Sequence, residues 1–568
     1  MCGIFAALYG IRDISGCSLS CQHNHLQPEW KTRTRTFLQN RGPDSFGTRH
    51  FSFPITLELE ASVLSLRGGK VIEQPLEDSS GNFLLFNGEI YNACEDENDT
   101  LWLSKLLGQV VSRHRASGRD SLKPLYTEIL ELLDSLQGPW SFIYFISSLS
   151  LLIFGRDKLG RRSLLFGKTG NDGTIFISSV APQDSACSDC LIELAPLGLY
   201  SIEWEQDSTV CKLDWHCRDG RTMDSLIDDD SLPRGAPKHC LFLNSYIPDK
   251  WWRKMSNDVV DTSSSCLVHQ WLHVLYKAVG RRIEMLQLPN VPCPSLPFAL
   301  LFSGGIDSLV LAYLMYKVCQ SHEKYRHQTL DLINVCFGPP HKSPDRKTAI
   351  EGVEELNRIC SDANHPTGAF RLVLVNVDKE EYQKYRQHVK YLLCPCNTPM
   401  DMSLGSTLWF GARAQGYVKQ DNDMYPYTSS CKVLFSGLGA DELLGGYKKR
   451  HRAAFQRGGY SSLADELNKD LSRIWWRNLG RDDRVVADHG KELRLAFLDE
   501  QVIDFITSLP LSAICDFTLP DGIGDKRILR QAASILGFSE PFVSRKKRAM
   551  QFGSMSKKYC EDKSFLCA

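Results

Sequence analysis

Five apolar residues, Phe298-Ala299-Leu300-Leu301-Phe302, run directly into Ser303-Gly304-Gly305-Ile306-Asp307-Ser308, and no other part of the chain constrains its fold as strongly. A short, wholly apolar run reads as a buried strand, and a glycine pair behind it reads as a sharp turn into a helix. Similar apolar runs follow at 332–337, 372–377 and 433–435, with amphipathic segments at 349–359 and 381–393 between them. Apolar strands alternating with helices predict a doubly wound parallel sheet, because each crossover helix covers a face of the sheet. Ahead of the first strand, Leu267, Trp271, Leu272, Leu275, Val279 and Ile283 recur at helical spacing.

A strand-to-helix turn of this kind gathers backbone N–H groups at the positive end of a helix dipole, so an anion such as pyrophosphate can sit there. Gly304 and Gly305 allow close backbone approach, Ser303 and Ser308 offer hydroxyls, and Asp307 can reach a magnesium ion bridging phosphates. No Gly-Lys-Ser/Thr closes the loop, so it is not a Walker nucleotide loop. A second glycine-rich turn, Ser436-Gly437-Leu438-Gly439-Ala440-Asp441-Glu442, also follows an apolar strand and adds carboxylates.

The remainder of the chain divides in two. Its 568 residues exceed what one hydrophobic core usually supports. Up to about residue 200, short β-rich runs alternate with turn signals, as in Phe83-Leu84-Leu85-Phe86 before Asn87-Gly88, which predicts a layered antiparallel domain. From about 205 to 264 the chain is polar, carries Asp228-Asp229-Asp230 and shows little periodicity, so it reads as a connecting segment. The expected organisation is therefore an N-terminal domain over 2–203, a connection over 204–264 and a C-terminal domain over 265–568.

Composition removes several alternatives. With 66 basic and 67 acidic residues there is no broad electrostatic reason to expect nucleic acid or an anionic membrane as partner. The first residues lack a basic leader with an apolar core, and no run is long enough to span a membrane, so a cytoplasmic location is expected. In that compartment the 20 cysteines read as thiols. Cys17, Cys21, His23 and His25 form one group and Cys187 with Cys190 another, but neither has a matching second half, so no metal is assigned to them.

The motifs together resemble a known family. The loop at 303–308 is similar to the pyrophosphate loop of ATP pyrophosphatases, and Ser436–Tyr447 with Arg494-Leu495-Ala496-Phe497-Leu498-Asp499 is similar to elements of asparagine synthetases. Met1-Cys2-Gly3-Ile4, Arg41-Gly42-Pro43-Asp44-Ser45, Asn87-Gly88-Glu89-Ile90-Tyr91-Asn92 and Gly155-Arg156-Asp157 resemble class II glutamine amidotransferases. The resemblance implies an α/β protein made of an Ntn-type αββα glutamine amidotransferase domain and an ATP pyrophosphatase domain. It implies Cys2 as nucleophile after removal of Met1, its own α-amine serving as base. It implies Arg41, Asn87, Gly88, Glu89 and Asp99 at a glutamine site; an amide and a glycine N–H suit a developing oxyanion, and carboxylates suit an ammonium. At an ATP site it implies Leu301, Ser303, Gly304, Gly305, Asp307, Ser308, Phe337, Ser436, Gly437 and Lys547, with Asp307 and Asp441 on magnesium. The small-molecule substrates would be glutamine, ATP and an acceptor carboxylate, aspartate in the family, which is asparagine biosynthesis. A homodimer is one assembly open to such a chain, and the sequence does not decide the oligomeric state.

Three departures stand against these matches. Leu438 replaces the glutamate of the family's Ser-Gly-Glu-Gly, and an apolar side chain does no acid–base work. Leu392-Leu393-Cys394-Pro395 lacks the cation of the family's Thr-Thr-x-Arg stretch, and Val63 stands where an arginine clamps glutamine's α-carboxylate, with Arg67 displaced along the strand. The alternatives are thus an amidoligase for another acceptor, or a catalytically reduced homologue acting as a scaffold or regulator.

Overall fold

A computed structural model describes residues 2–11, 13–15, 30–53, 55–93, 97–168, 174–182, 191–205, 210–217, 265–288, 296–360, 368–421 and 423–560. The two cysteine groups weighed for metal lie outside the described residues, as does most of the connecting segment.

The N-terminal strands are β1 (Gly3–Tyr9), β2 (Asp13–Ser15), β3 (Ser45–Phe53), β4 (Ile55–Val63), β5 (Leu76–Glu77), β6 (Phe83–Gly88), β7 (Trp140–Ile146), β8 (Leu151–Arg156), β9 (Leu165–Lys168), β10 (Ile175–Ser178), β11 (Leu191–Glu193), β12 (Gly198–Trp204) and β13 (Val210–Cys217). They form two sheets, ordered β11-β9-β10-β1-β4-β3 and β2-β13-β12-β8-β7-β6-β5. Strand alternation decides what each face touches. Ile4, Leu57, Leu85, Ile143 and Phe154 join in one core between the sheets. Leu84, Phe86, Phe142 and Tyr144 point the other way, onto a core shared with Leu103, Leu107 and Ile129 from the helices Asp99–Ala116 and Lys123–Asp134. The helix Trp30–Arg41 lies against the outer face of the first sheet, where Phe37 and Leu38 meet Phe5 and Ala7. This is the αββα layering. Its sheet runs further than expected: β13 pairs with β12 from Gly198↔Cys217 to Trp204↔Cys211, so the boundary at 203 falls inside a hairpin.

The C-terminal sheet contains β14 (Phe298–Leu301), β15 (Leu330–Phe337), β16 (Phe370–Val377), β17 (Gln415–Gln420), β18 (Asp423–Thr428), β19 (Val433–Phe435) and β20 (Glu492–Arg494). Their order is β18-β17-β16-β15-β14-β19-β20, parallel from β16 to β20. The antiparallel β17–β18 hairpin closes one edge, and its polar residues gave no apolar run to mark it. Order reverses around β14, where β15 lies on one side and β19 on the other, and such a switch opens a crevice at the carboxyl ends of the strands. The 303–308 loop and the 436–441 turn leave the sheet there. The two halves share one continuous core, in which Leu64, Leu66 and Leu159 sit with Trp271, Leu272 and Leu275.

Candidate functional site

Cys2, immediately before β1, is buried in the N-terminal domain, and burial pushes its thiol up from the ordinary cysteine value. Its N–H donates to Asn87 Oδ1 at 2.9 Å, and Gln74 Nε2 reaches its Sγ at 3.7 Å. Gln74 is itself fixed, accepting the Phe86 N–H at 2.7 Å. Asn87 lies near the end of β6, and with its oxygen engaged by Cys2 its buried Nδ2 has no hydrogen-bond partner among the described residues. A buried amide donor left open beside a thiol is what a developing oxyanion requires. The next residue must be glycine, since a Cβ at position 88 would come within 2.4 Å of the Pro139 carbonyl oxygen.

Two carboxyl groups complete this end. Asp99 accepts the Ile90 N–H at 3.3 Å and Glu89 Oε1 faces Arg494 Nη2 at 3.2 Å. Burial raises both, and for Glu89 burial with the neighbouring Glu492 charge takes the carboxyl to about 8. Val63 is buried at the end of β4 and pairs with Ser45, so no side chain there can hold a carboxylate. Arg67 donates to the carbonyls of Ile90 and Ala93 at 2.7 and 3.4 Å, and its charge opposes the upward shift of Asp99. That places a guanidinium beneath the 90–93 loop and close to Asp99. Arg41 requires a correction. Instead of facing a ligand, it is fully buried, donating from Nε to the Cys2 carbonyl at 3.2 Å and from Nη2 to Asp483 at 2.8 Å. It supports the Cys2 backbone from the other domain.

Arg41 belongs to a belt of buried charge pairs joining the halves. Arg162 meets Asp483 at 3.5 Å and Glu492 at 2.9 Å, and Arg484 bonds Glu193, which also takes Arg156 at 2.8 Å. Removing one partner of such a pair leaves an uncompensated interior charge, so the belt ties the domains together.

At the other end of the belt the 303–308 loop folds as its sequence indicates. Gly304 adopts φ +72, and a Cβ there would lie 2.2 Å from the Thr348 carbonyl oxygen, so only glycine fits. Gly305 caps the helix Ile306–Ser321, with its N–H on Ser303 Oγ at 3.2 Å, and Ser308 Oγ donates to the Gly305 carbonyl. Arg545 bonds the Gly304 carbonyl at 3.2 Å. Across the crevice a Cβ on Gly437 would be 3.0 Å from Asp307 Cβ, which brings the two glycine turns into contact. Asp307 and Asp441 converge on Lys526, whose Nζ is 2.6 Å from both Asp307 oxygens and from Asp441 Oδ1. Lys547 contacts Asp441 Oδ2, lies 4.7 Å from the Tyr447 ring centroid, and is drawn down to about 8 by burial.

Nine of the residues expected at a nucleotide therefore meet here: Ser303, Gly304, Gly305, Asp307, Ser308, Ser436, Gly437, Asp441 and Lys547. Two do not present themselves in the same way. Leu301 turns toward Gly411, where a Cβ would be 2.9 Å from Leu301 Cδ2. Phe337 is in the core, edge-on to Phe410, Tyr382 and Tyr559, and its N–H is taken by the Ser554 carbonyl at 2.9 Å. Lys526 carried no motif at all. It follows Gly522-Ile523-Gly524-Asp525 in a left-handed conformation (φ +52), and only the fold turns it inward. The 392–397 stretch is held from below by Arg484, which donates to the Leu392 and Leu393 carbonyls at 2.8 and 3.2 Å.

Asp307 and Asp441 are hard oxygen donors facing one cation position, a set that suits magnesium. Among the described residues no group of three or more histidine, cysteine or carboxylate side chains is arranged for a metal, so phosphate and water oxygens would complete such a shell.

Comparison with known proteins agrees with this division. A family described as asparagine synthase matches residues 424–563, and one described as glutamine amidotransferase domain matches residues 1–190. The chain is 33% identical to asparagine synthetase domain-containing protein 1 of Gallus gallus, over 98% of this chain and 96% of that protein. The Homo sapiens protein of the same name is 32% identical, over 95% of this chain and 94% of its own. Asparagine synthetase B [glutamine-hydrolyzing] of Escherichia coli is 22% identical, over 94% of this chain and 78% of that one.

Proposed function

The chain belongs to the family of asparagine synthetase domain-containing proteins, and on that premise we propose that it is a working glutamine-dependent amidoligase that consumes ATP and amidates an acceptor carboxylate, aspartate being the family's. The observation that carries the reading is the convergence of Asp307, Asp441, Lys526 and Lys547 on the glycine turn at 303–305. Two carboxylates for a metal and two ammonium groups for phosphate oxygens are what adenylation needs, and a scaffold has no use for them.

In the N-terminal half, once Met1 is removed, the Cys2 α-amine takes the thiol proton and Sγ attacks glutamine's carboxamide carbon. The oxyanion forms against Asn87 Nδ2 and the Gly88 N–H. Collapse expels ammonia, which leaves with the proton from the α-amine, and water hydrolyses the thioester to glutamate. Glu89 and Asp99 hold the substrate's ammonium, and a bound cation favours their ionised forms. In the C-terminal half the acceptor carboxylate attacks the α-phosphorus of ATP and pyrophosphate departs. Lys526 and Lys547 neutralise the charge on the leaving group, and Asp307 and Asp441 orient those lysines. Magnesium, when held by Asp307 and Asp441, would take the position the Lys526 ammonium fills here, leave that ammonium to the phosphate oxygens, and supply further neutralisation. Ammonia then displaces AMP from the acyl adenylate. Leu438 leaves this last proton to be taken by solvent or product phosphate, which predicts slow amide formation.

The test is to incubate the purified protein with ATP, magnesium and glutamine, with and without aspartate, and to measure glutamate, pyrophosphate and asparagine. Asparagine that disappears in Cys2→Ala but returns when ammonia replaces glutamine supports the reading. Neither glutamate nor pyrophosphate above blank refutes it. Pyrophosphate formed only with another carboxylate, which the altered 392–397 stretch would suit, moves the acceptor and keeps the reaction.

A further inference from the structure

Arg494 touches both halves of the molecule at once. Through its main chain it belongs to the nucleotide side: it pairs with Phe435 across β19 and β20, and its carbonyl accepts the N–H of Ser436, the first residue of the turn facing Asp307. Through its side chain it belongs to the amide-donor side. Nε donates to Glu492 at 2.7 Å, Nη1 to the Arg282 carbonyl, and Nη2 faces Glu89 Oε1 at 3.2 Å. It is 1% exposed, and neither its Nη2 nor the Glu89 Oε2 atom has a hydrogen bond of good geometry. This pair is therefore held close without being locked.

We propose that Arg494 is a positioning residue that couples the two sites, so that ATP and glutamine each bind more tightly when the other is present. The proposal rests on the function given above. The path is a single residue: Ser436 N–H, Arg494 carbonyl, Arg494 guanidinium, Glu89 carboxylate. A phosphate drawing the 436–437 turn toward Asp307 pulls on the Arg494 main chain, and the guanidinium moves relative to Glu89. Glu89 has few other sources of charge compensation. Glu492 and Asp99 oppose its ionisation, and Arg494, ahead of the chain's N-terminal amine, is the cation that most favours it. The ammonium of a bound glutamine brings a second positive charge to the same carboxylate, so its affinity depends on where the first one stands. Other charge pairs cross the same boundary without this double contact. Glu193, for example, bonds Arg156 and Arg484 and reaches neither Glu89 nor Ser436.

Coupling between sites is reciprocal for binding, which gives a stringent assay. In the full-length Cys2→Ala protein, which cannot turn glutamine over, the dissociation constant of ATP with magnesium is measured with and without saturating glutamine, and that of glutamine with and without ATP. Two equal factors of about five or more are expected. Arg494→Met in that background should bring both factors to one, Arg494→Lys should restore part of them, and Glu193→Gln should leave them unchanged. If Arg494→Met fails to fold, Arg494→Gln, which keeps a polar side chain toward Glu492 and the Arg282 carbonyl while losing the charge, should abolish the coupling in the same way. Two ligands that bind with factors of one in Cys2→Ala, or factors that persist in a folded Arg494→Met or Arg494→Gln protein, overturn the coupling and leave the proposed function standing. A protein that binds neither ligand overturns both.

Discussion

Replacing Lys526 by methionine probes the electrostatics of the nucleotide crevice, because the side chain keeps most of its unbranched apolar length and loses its ammonium. Its ammonium is 2.6 Å from an oxygen of Asp307 and of Asp441, which keeps the two nearest carboxylate oxygens within about 5 Å of each other. At an effective dielectric of about 20, two unit charges at that separation repel by about 3 kcal/mol. Removing one partner of a buried pair typically costs about 3–5 kcal/mol. The lower end is expected here, because Lys547 still contacts Asp441 and both carboxylates are about one-fifth exposed. In urea, with a slope of about 3 kcal/mol per molar for a unit of this size, the unfolding midpoint of the C-terminal half should fall by about 1 M. A divalent cation can occupy the vacated position, so saturating magnesium should return most of that loss in Lys526→Met while moving the native midpoint little. Equal midpoints without magnesium, or equal magnesium shifts in the two proteins, would refute the claim that Lys526 sits where a metal would bind.

Two further outcomes follow from the buried titrating groups. Burial draws Lys547 down to about 8, below its unfolded value, so it disfavours folding at neutral pH and that penalty fades as pH rises above 8. A neutral amine cannot compensate pyrophosphate, so ATP-dependent pyrophosphate release should decline with an alkaline limb near pH 8, and Lys547→Arg should move that limb by more than two pH units, read from a pH–rate profile. Glu89 shifts the opposite way. Its folded value of about 8 lies above the unfolded one, so its contribution to stability is complete in acid, and it is lost as pH rises through that value. Chemical denaturation from pH 5 to 8 should show a decline that is shallower in Glu89→Gln.

The parts of this molecule legible in the sequence are those whose physics is local. Ser303–Ser308 could be placed at a strand end before a helix because the apolar run and the glycine pair are adjacent in the chain. The antiparallel layers were legible through short β-rich runs bounded by turn signals, such as Phe83–Phe86 before Asn87-Gly88, and the αββα order through resemblance, although the polar β13 strand and the β17–β18 hairpin gave too little apolar signal to be found. Contacts between distant residues were not legible. Lys526 lies 219 residues from Asp307 and within a run of charges that would ordinarily face water. Arg41 sits in a recognisable motif, but its partner Asp483 is 442 residues away, so the motif gave the residue's presence without its direction. Phe337 was expected at the nucleotide from resemblance, and its ring is in the core because the C-terminal 554–559 segment folds over it.

The 442-residue separation of Arg41 and Asp483 is also a separation in time. A ribosome adding about 5–20 residues per second takes about 20–90 s to travel it. In the later part of that interval the first domain has been synthesised while Arg41 and Arg162 still lack the carboxylate that will pair with them. The guanidinium that steadies the Cys2 carbonyl is therefore seated only near the end of synthesis. A nascent chain therefore cannot complete the surroundings of Cys2 before the C-terminal half exists.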